Sequence, residues 1–174
     1  MDTIILKDAP FLIIGRSGQE NILTQEIVDK YNSIAINVTK FNVDMIFRAD
    51  RPWGYLYSDK CKYFFTDEKY KKHSDYQGEK FRFFKSEYKI VSDALPVLGL
   101  YRFTFTLALN YIALVKPKSE VYLVGIDHSK GKYRDKTVKT FVDRYKDLLT
   151  IYQTDFNSDG WNLEYKEIKW ANLK

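Results

Sequence analysis

The chain has 174 residues, 45% of them hydrophobic and 29% charged, with a formal net charge of +5. That length and apolar content supply one hydrophobic core and exclude an intrinsically disordered chain. One cysteine, Cys61, and two histidines, His73 and His128, exclude an intrachain disulfide, a thiolate zinc site and a His-rich metal site.

The positive excess suits anionic partners such as phosphates and nucleotides. It is spread along the chain, and its densest cluster, Lys69, Lys71 and Lys72, sits beside Asp67 and Glu68. Without a long basic tract, nucleic acid is not the expected partner. Aromatic residues make up 17% of the chain, including 14 Tyr and 12 Phe. Tyrosine packs its ring while keeping a polar tip wet, which serves a core and a ligand cleft equally well. The N-terminus lacks a charged region followed by a long apolar one, so no secretory signal is expected. The most apolar stretch, Leu95 to Val115, contains Arg102, Thr104, Thr106 and Asn110 and is too polar to span a membrane. The expectation is one cytoplasmic domain over residues 1–174, with self-association left open.

In chain order, Phe11 to Ile14 are four consecutive apolar residues that end at Gly15-Arg16-Ser17-Gly18. Such a run before a glycine-bearing turn predicts a strand buried on both faces. Ile22, Leu23, Ile27 and Val28 then recur at helical spacing, closed by Lys30. Ser33 to Val38 predicts the next strand, ending in Asn37 and Thr39, and Val43 to Phe47 follows after a short turn. Tyr63 to Thr66 is another apolar run, ending in Asp67. Phe81 to Phe84 and Tyr88 to Val91 are further candidate strands. A helix is predicted from about Gly99 to Leu114, apolar on nearly every side and so expected in the centre of the domain. Val121 to Val124 is a strand ending in Gly125-Ile126-Asp127. Val138, Phe141, Val142, Tyr145, Leu148 and Leu149 follow at helical spacing, then a short strand at Ile151-Tyr152. The tail from Trp161 to Lys174 fits either strand or helix.

This alternation predicts an α/β fold, a Rossmann-like three-layer sandwich with a mainly parallel central sheet. Ligands of such sheets bind beyond the carboxyl ends of the strands, at the point where strand order reverses. The residues there are Gly15, Arg16, Ser17 and Gly18, then Asn37 and Thr39, then Arg48 and Asp50, then Thr66 and Asp67, and last Gly125, Asp127, His128 and Ser129. In the first turn, backbone N–H groups before a helix suit a phosphate, and Arg16 adds charge. The turn is neither a dinucleotide fingerprint nor a Walker motif, and a plain tight turn explains it equally well. Asn37 offers the donor and acceptor that read a base or ribose, and taken alone it is more simply a turn-forming asparagine. Asp127 suits a ribose or donor group. His128 is the candidate general base, weighed against an ordinary loop histidine. No metal site is expected.

Together, Phe-Leu-Ile-Ile-Gly-Arg-Ser-Gly, Ile-Ala-Ile-Asn-Val, Gly-Leu-Tyr-Arg-Phe-Thr-Phe-Thr-Leu-Ala-Leu and Val-Tyr-Leu-Val-Gly-Ile-Asp resemble landmarks of the bacterial sialyltransferases that use CMP-sialic acid. Related Rossmann proteins of the motility-accessory and hydroxymethylpterin pyrophosphokinase type share them. The resemblance spans roughly residues 11 to 129. It implies that Gly15, Arg16 and Ser17 lie in the nucleotide turn and that Asn37 contacts base or ribose. Gly99 and Tyr101 would open the central helix, and Asp127 would close the Gly-Ile-Asp segment. It also implies a nucleotide or nucleotide-sugar ligand, CMP-linked by analogy, with no further cofactor. Tyr133 and Tyr145 would be candidate phosphate contacts, Tyr145 equally a packing residue. The family's turn reads Gly-Asn/Ser-Gly-Pro-Ser where this chain has Gly-Arg-Ser-Gly-Gln, its serine before the helix glycine is Leu98 here, and no histidine follows His128.

Two functions therefore stand side by side. One is a glycosyltransferase-like enzyme with a nucleotide-sugar donor, in which Asp127 and His128 act at the reacting centre. The other is a non-catalytic nucleotide-binding or protein-interaction domain on the same scaffold.

Overall fold

A computed structural model describes residues 4–16, 18–48, 57–84, 104–126, 142–154 and 163–166. The first apolar run forms β1 (Phe11–Ile14), buried along its whole length. Its side chains alternate between two cores. Phe11 and Ile13 join one cluster, and Leu12 and Ile14 the other. Two buried faces explain why the run is continuously apolar rather than alternating.

The other strands are β2 (Asn32–Ile36), β3 (Val43–Arg48), β4 (Cys61–Asp67), β5 (Phe81–Phe84), β6 (Glu120–Val124), β7 (Thr150–Gln153) and β8 (Glu164–Tyr165). They form one sheet in the order β5-β4-β3-β2-β1-β6-β7-β8. Every pairing in it is parallel. The fold is the expected α/β Rossmann-like sandwich. No helix among the described residues is long and apolar enough to cross a membrane.

The two faces are covered by different parts of the chain. Helix α1 (Gln25–Asp29) packs Ile27 and Val28 on the face of Leu12, Ile14, Ala35, Ile46 and Phe64. Helix α2 (Thr104–Val115) packs on the other face, with Phe11, Ile13, Ile34, Met45 and Phe47. A helical turn at 142–145 joins it there through Val142 and Tyr145. Right-handed crossovers demand this arrangement. Strands laid down outward from β1 need their connections on one face, and strands laid down the other way need theirs on the opposite face.

The segment read as one helix from Ile22 to Lys30 is two pieces. A 3-10 turn (Gln19–Ile22) is followed by extended Leu23 and Thr24. The Thr24 hydroxyl then accepts a hydrogen bond from the Ile27 N–H at 3.3 Å and starts α1. That threonine is an N-cap, and a cap interrupts whatever helix precedes it.

The β2–β3 connection is short. Parallel neighbours usually need a crossover of about a dozen residues or more, but Asn37 to Asn42 make this one without a helix. The chain leaves β2 through Asn37 at φ 70, which ends the strand two residues before the predicted Val38. It then runs over the α1 face, burying Phe41. The Gln25 side chain secures it, donating to the Asn42 carbonyl at 2.8 Å and accepting from the Asn42 N–H at 2.9 Å. A glutamine amide thus satisfies both backbone groups of a residue that has no ladder partner.

The amino ends of the strands are locked by charge. Asp44 Oδ2 accepts from Lys7 Nζ at 2.8 Å and from the Ser33 N–H at 3.1 Å, and Oδ1 accepts from Lys62 Nζ at 2.8 Å. Burial pushes the Asp44 carboxyl up, but the hydrogen bonds from Lys62, Lys7 and Ser33 outweigh it and hold the group below the usual carboxylate range. Asn32 completes the lock by binding the backbone of Lys7 and Ala9.

Candidate functional site

Strand order reverses between β1 and β6. From there β1 leads to α1 on one face, while β6 leads to the opposite face. The carboxyl ends of this pair therefore frame the crevice where such sheets take ligands. Gly15 follows β1, and its N–H donates to the Val124 carbonyl at 2.7 Å, extending the ladder. Gly125 follows β6 at φ +69, a conformation that favours glycine. The two residues touch backbone to backbone. A Cβ on Gly15 would lie 2.2 Å from the Gly125 carbonyl oxygen and 2.6 Å from Ile126 Cδ1. The floor of the crevice is thus the backbone of Gly15 and Gly125, flanked by the side chain of Ile126.

Glu20 lies over this floor. Its Oε2 accepts from the Gly18 N–H at 2.7 Å and would be 3.0 Å from a Cβ placed on Gly125. The turn expected to offer backbone N–H groups to a phosphate therefore has one of them bound by the protein's own carboxylate. Arg16 and Gly18 are exposed on the same turn.

Asn37 lies at the end of β2, two strand positions from β6. Its N–H donates to the Phe47 carbonyl at 2.9 Å, and its Oδ1 accepts from the Thr104 hydroxyl at 3.3 Å. The second bond ties the strand end to the first residue of α2. Thr39 turns inward to its own loop, where its hydroxyl accepts from the Phe41 N–H at 3.0 Å. That bond is a local turn contact of the kind threonine makes in connections.

Arg48 ends β3 and pairs in register with Thr66 of β4. Arg48 Nη1 reaches the Asn37 carbonyl at 3.5 Å. Asn37, Arg48, Thr66 and Thr104 thus form a polar group along the carboxyl ends of β2, β3 and β4. The sequence placed Arg48 and Thr66 at strand ends but gave no reason to join them. Register does so, because residues paired across parallel strands share a face about 4.8 Å apart.

Ser17, Gly99, Tyr101, Asp127, His128 and Tyr133 lie outside the described residues. Tyr145 is a packing residue. It is 1% exposed, and its hydroxyl donates to Asn110 Oδ1 at 2.8 Å. Burial pushes its phenol far above the ordinary range. Tyr145→Phe is expected to cost about 1–2 kcal/mol, because the buried Asn110 oxygen loses that donor. Urea denaturation should show it as a lower midpoint at unchanged slope.

A cavity of about 600 Å³ lies elsewhere, beneath α2 and over β3 to β5. Phe47, Phe65, Leu107 and Tyr111 make its walls. It is mainly apolar, with Glu68, Lys71, Arg82 and Asn110 in its lining, and Asn110 is bound to Tyr145. The strand ends, where strand order reverses and polar groups converge, are the candidate site. Among the described residues no group of three or more His, Cys, Asp or Glu is placed to hold a metal ion. Compared with protein-family models, curated proteins and solved structures, the chain shows no match.

Proposed function

We propose that the chain binds a nucleotide or nucleotide-sugar across the carboxyl ends of β1, β2 and β6, and transfers the sugar to an acceptor. The observation that carries the binding half is the backbone contact of Gly15 with Gly125 at the reversal of strand order. Ligands of such sheets bind at this reversal, and glycine at both strand ends contributes no side chain of its own there. In this reading the Gly15–Gly18 turn and Arg16 face the phosphate side, and Asn37 reads base or ribose. By the resemblance, Gly99 and Tyr101 fall at the start of the central helix. Asp127 orients the donor and His128 serves as base. The transfer half rests on the resemblance to CMP-sialic-acid-dependent enzymes, so a cytidine nucleotide is the first donor to try.

One observation favours the second reading, a binding domain without catalysis. Glu20 already holds the Gly18 N–H. A carboxylate in that place repels phosphate and favours a ligand that presents hydroxyl donors there.

Thermal melts with a panel of nucleotides and nucleotide-sugars test the proposal, each against wild type and Asn37→Gly. Glycine suits the positive φ of Asn37, so the variant keeps the turn and loses the amide together with its bond from the Thr104 hydroxyl. A ligand at about 100 times its dissociation constant should add roughly 2.7 kcal/mol to the wild type. The variant should lose that gain, read against its own melt without ligand. If no member of the panel moves the wild-type melt, nucleotide binding is wrong. If the shift survives in Asn37→Gly, the placement of the base or ribose is wrong. Turnover of the bound sugar nucleotide would then separate the enzyme from the binding domain.

A further inference from the structure

The carboxyl ends of β3 and β4 hold an unusual pair of donors. Thr66 is 0% exposed, and its Oγ1 has no hydrogen-bond partner among the described residues. Arg48 Nε is buried and equally unpartnered. No carboxylate among the described residues pairs with Arg48, whose one hydrogen bond is the long contact from Nη1 to the Asn37 carbonyl. The two residues are register partners and therefore neighbours on one face of the sheet. Beneath them on that face lie Ile46 and Phe64, fully buried, and Phe83 stands beside Thr66 on β5. Asp67, the next residue along β4, alternates to the other face and pairs with Lys69 at 3.6 Å.

Buried donors are almost always satisfied, and a guanidinium edge over an apolar floor is costly without a counter-charge. Two such donors side by side lack the same thing, an acceptor that carries negative charge. Arginine presents N–H groups in a planar fork that matches two oxygens of one anion. The geometry points to an oxyanion-binding site at the carboxyl ends of β3 and β4, in which Arg48 takes two oxygens of a carboxylate or phosphate group and the Thr66 hydroxyl donates to one of them. The site lies two strands beyond β1 and does not depend on nucleotide binding at the strand reversal.

The unpartnered hydroxyl makes the test sharp. Where Thr66 serves only the fold, Thr66→Val should destabilise the free protein. Where it serves a ligand, valine should leave the free protein as stable or more so, since it removes an unsatisfied polar atom of the same shape. The probes are inorganic phosphate and acetate, each titrated at constant ionic strength against wild type, Thr66→Val and Arg48→Gln, with thermal melting as readout. Arg48→Gln subtracts the general stabilisation that phosphate gives any protein. The expected result is a saturable wild-type shift with at least one ion. Its apparent affinity should weaken about tenfold in Arg48→Gln and fall measurably in Thr66→Val. The ion that saturates at lower concentration identifies the group as phosphate or carboxylate. Equal responses in wild type and Arg48→Gln would overturn the proposal. So would a Thr66→Val protein that is less stable than wild type yet binds the ion unchanged. Failure here with nucleotide shifts intact would remove this site alone.

Discussion

Gly15→Ala is expected to remove about 3 kcal/mol of stability, near the upper end for overpacking substitutions. The methyl would fall 2.2 Å from the Gly125 carbonyl oxygen and 2.7 Å from its carbonyl carbon. Neither is the end of a flexible side chain. Relief requires β1 and β6 to separate at their carboxyl ends, which strains the bond from the Gly15 N–H to Val124. For a domain of this length the loss corresponds to a melting temperature lower by roughly 10 °C. Gly125→Ala provides the comparison. Its nearest contacts are 3.0 Å to Glu20 Oε2, which can swing aside, and 3.2 Å to the Gly15 carbonyl carbon. Its main penalty is the left-handed backbone, about 1–2 kcal/mol. Gly15→Ala should therefore melt below Gly125→Ala. The reverse order would mean that the two strand ends are not in backbone contact.

Asp44→Ala is expected to lower stability by about 2 kcal/mol near neutral pH. Asp44 is the common acceptor for Lys7, Lys62 and the Ser33 backbone, and its side chain is only 13% exposed. Its removal leaves a partly buried ammonium and a strand N–H without that partner. Lys62 is largely exposed and contributes little of the total. The effect carries a pH signature. The folded carboxyl titrates below its ordinary value of 3.8, so the unfolded chain takes up the proton first. The stabilisation is full above that value and fades as pH falls through the lower folded one. Denaturation curves of wild type and Asp44→Ala should lie apart at pH 7 and converge in that acid range. A gap that stays constant with pH would show that Asp44 acts through packing and not through charge.

The sheet was the most legible part of the sequence because its central strands are buried on both faces. Phe11–Ile14 and Val121–Val124 read as strands with no alternation to find, and both were placed. Helical spacing misled at Ile22 to Val28. Apolar residues there serve two short pieces, and the break is marked only by the hydroxyl of Thr24. At the site, the list of strand-end residues was available from the chain alone, but their partnerships were not. Glu20 reaches back two residues to Gly18, yet what brings it over Gly125 is the pairing of β1 with β6. Arg48 and Thr66 become neighbours only through a register that no local pattern encodes. Thr39 shows a local contact that the chain alone did not reveal, its hydroxyl accepting from the Phe41 N–H of its own loop.

The strand order also sets a schedule for synthesis. β1 lies between β2 and β6, and its partner on one side follows it in the chain almost at once, while the other arrives on the order of a hundred residues later. At roughly 5–20 residues per second, one edge of the most apolar strand waits about ten seconds after its own emergence from the ribosome. During that interval β1 to β5 present an open, hydrogen-bonding edge, with the face meant for α2 uncovered. α2 emerges just before β6 to cover that face, and the late arrival of β6 then brings Gly125 against Gly15 and closes the edge of β1. The crevice proposed to hold the ligand is therefore completed by the same contact that ends the period of greatest exposure to aggregation.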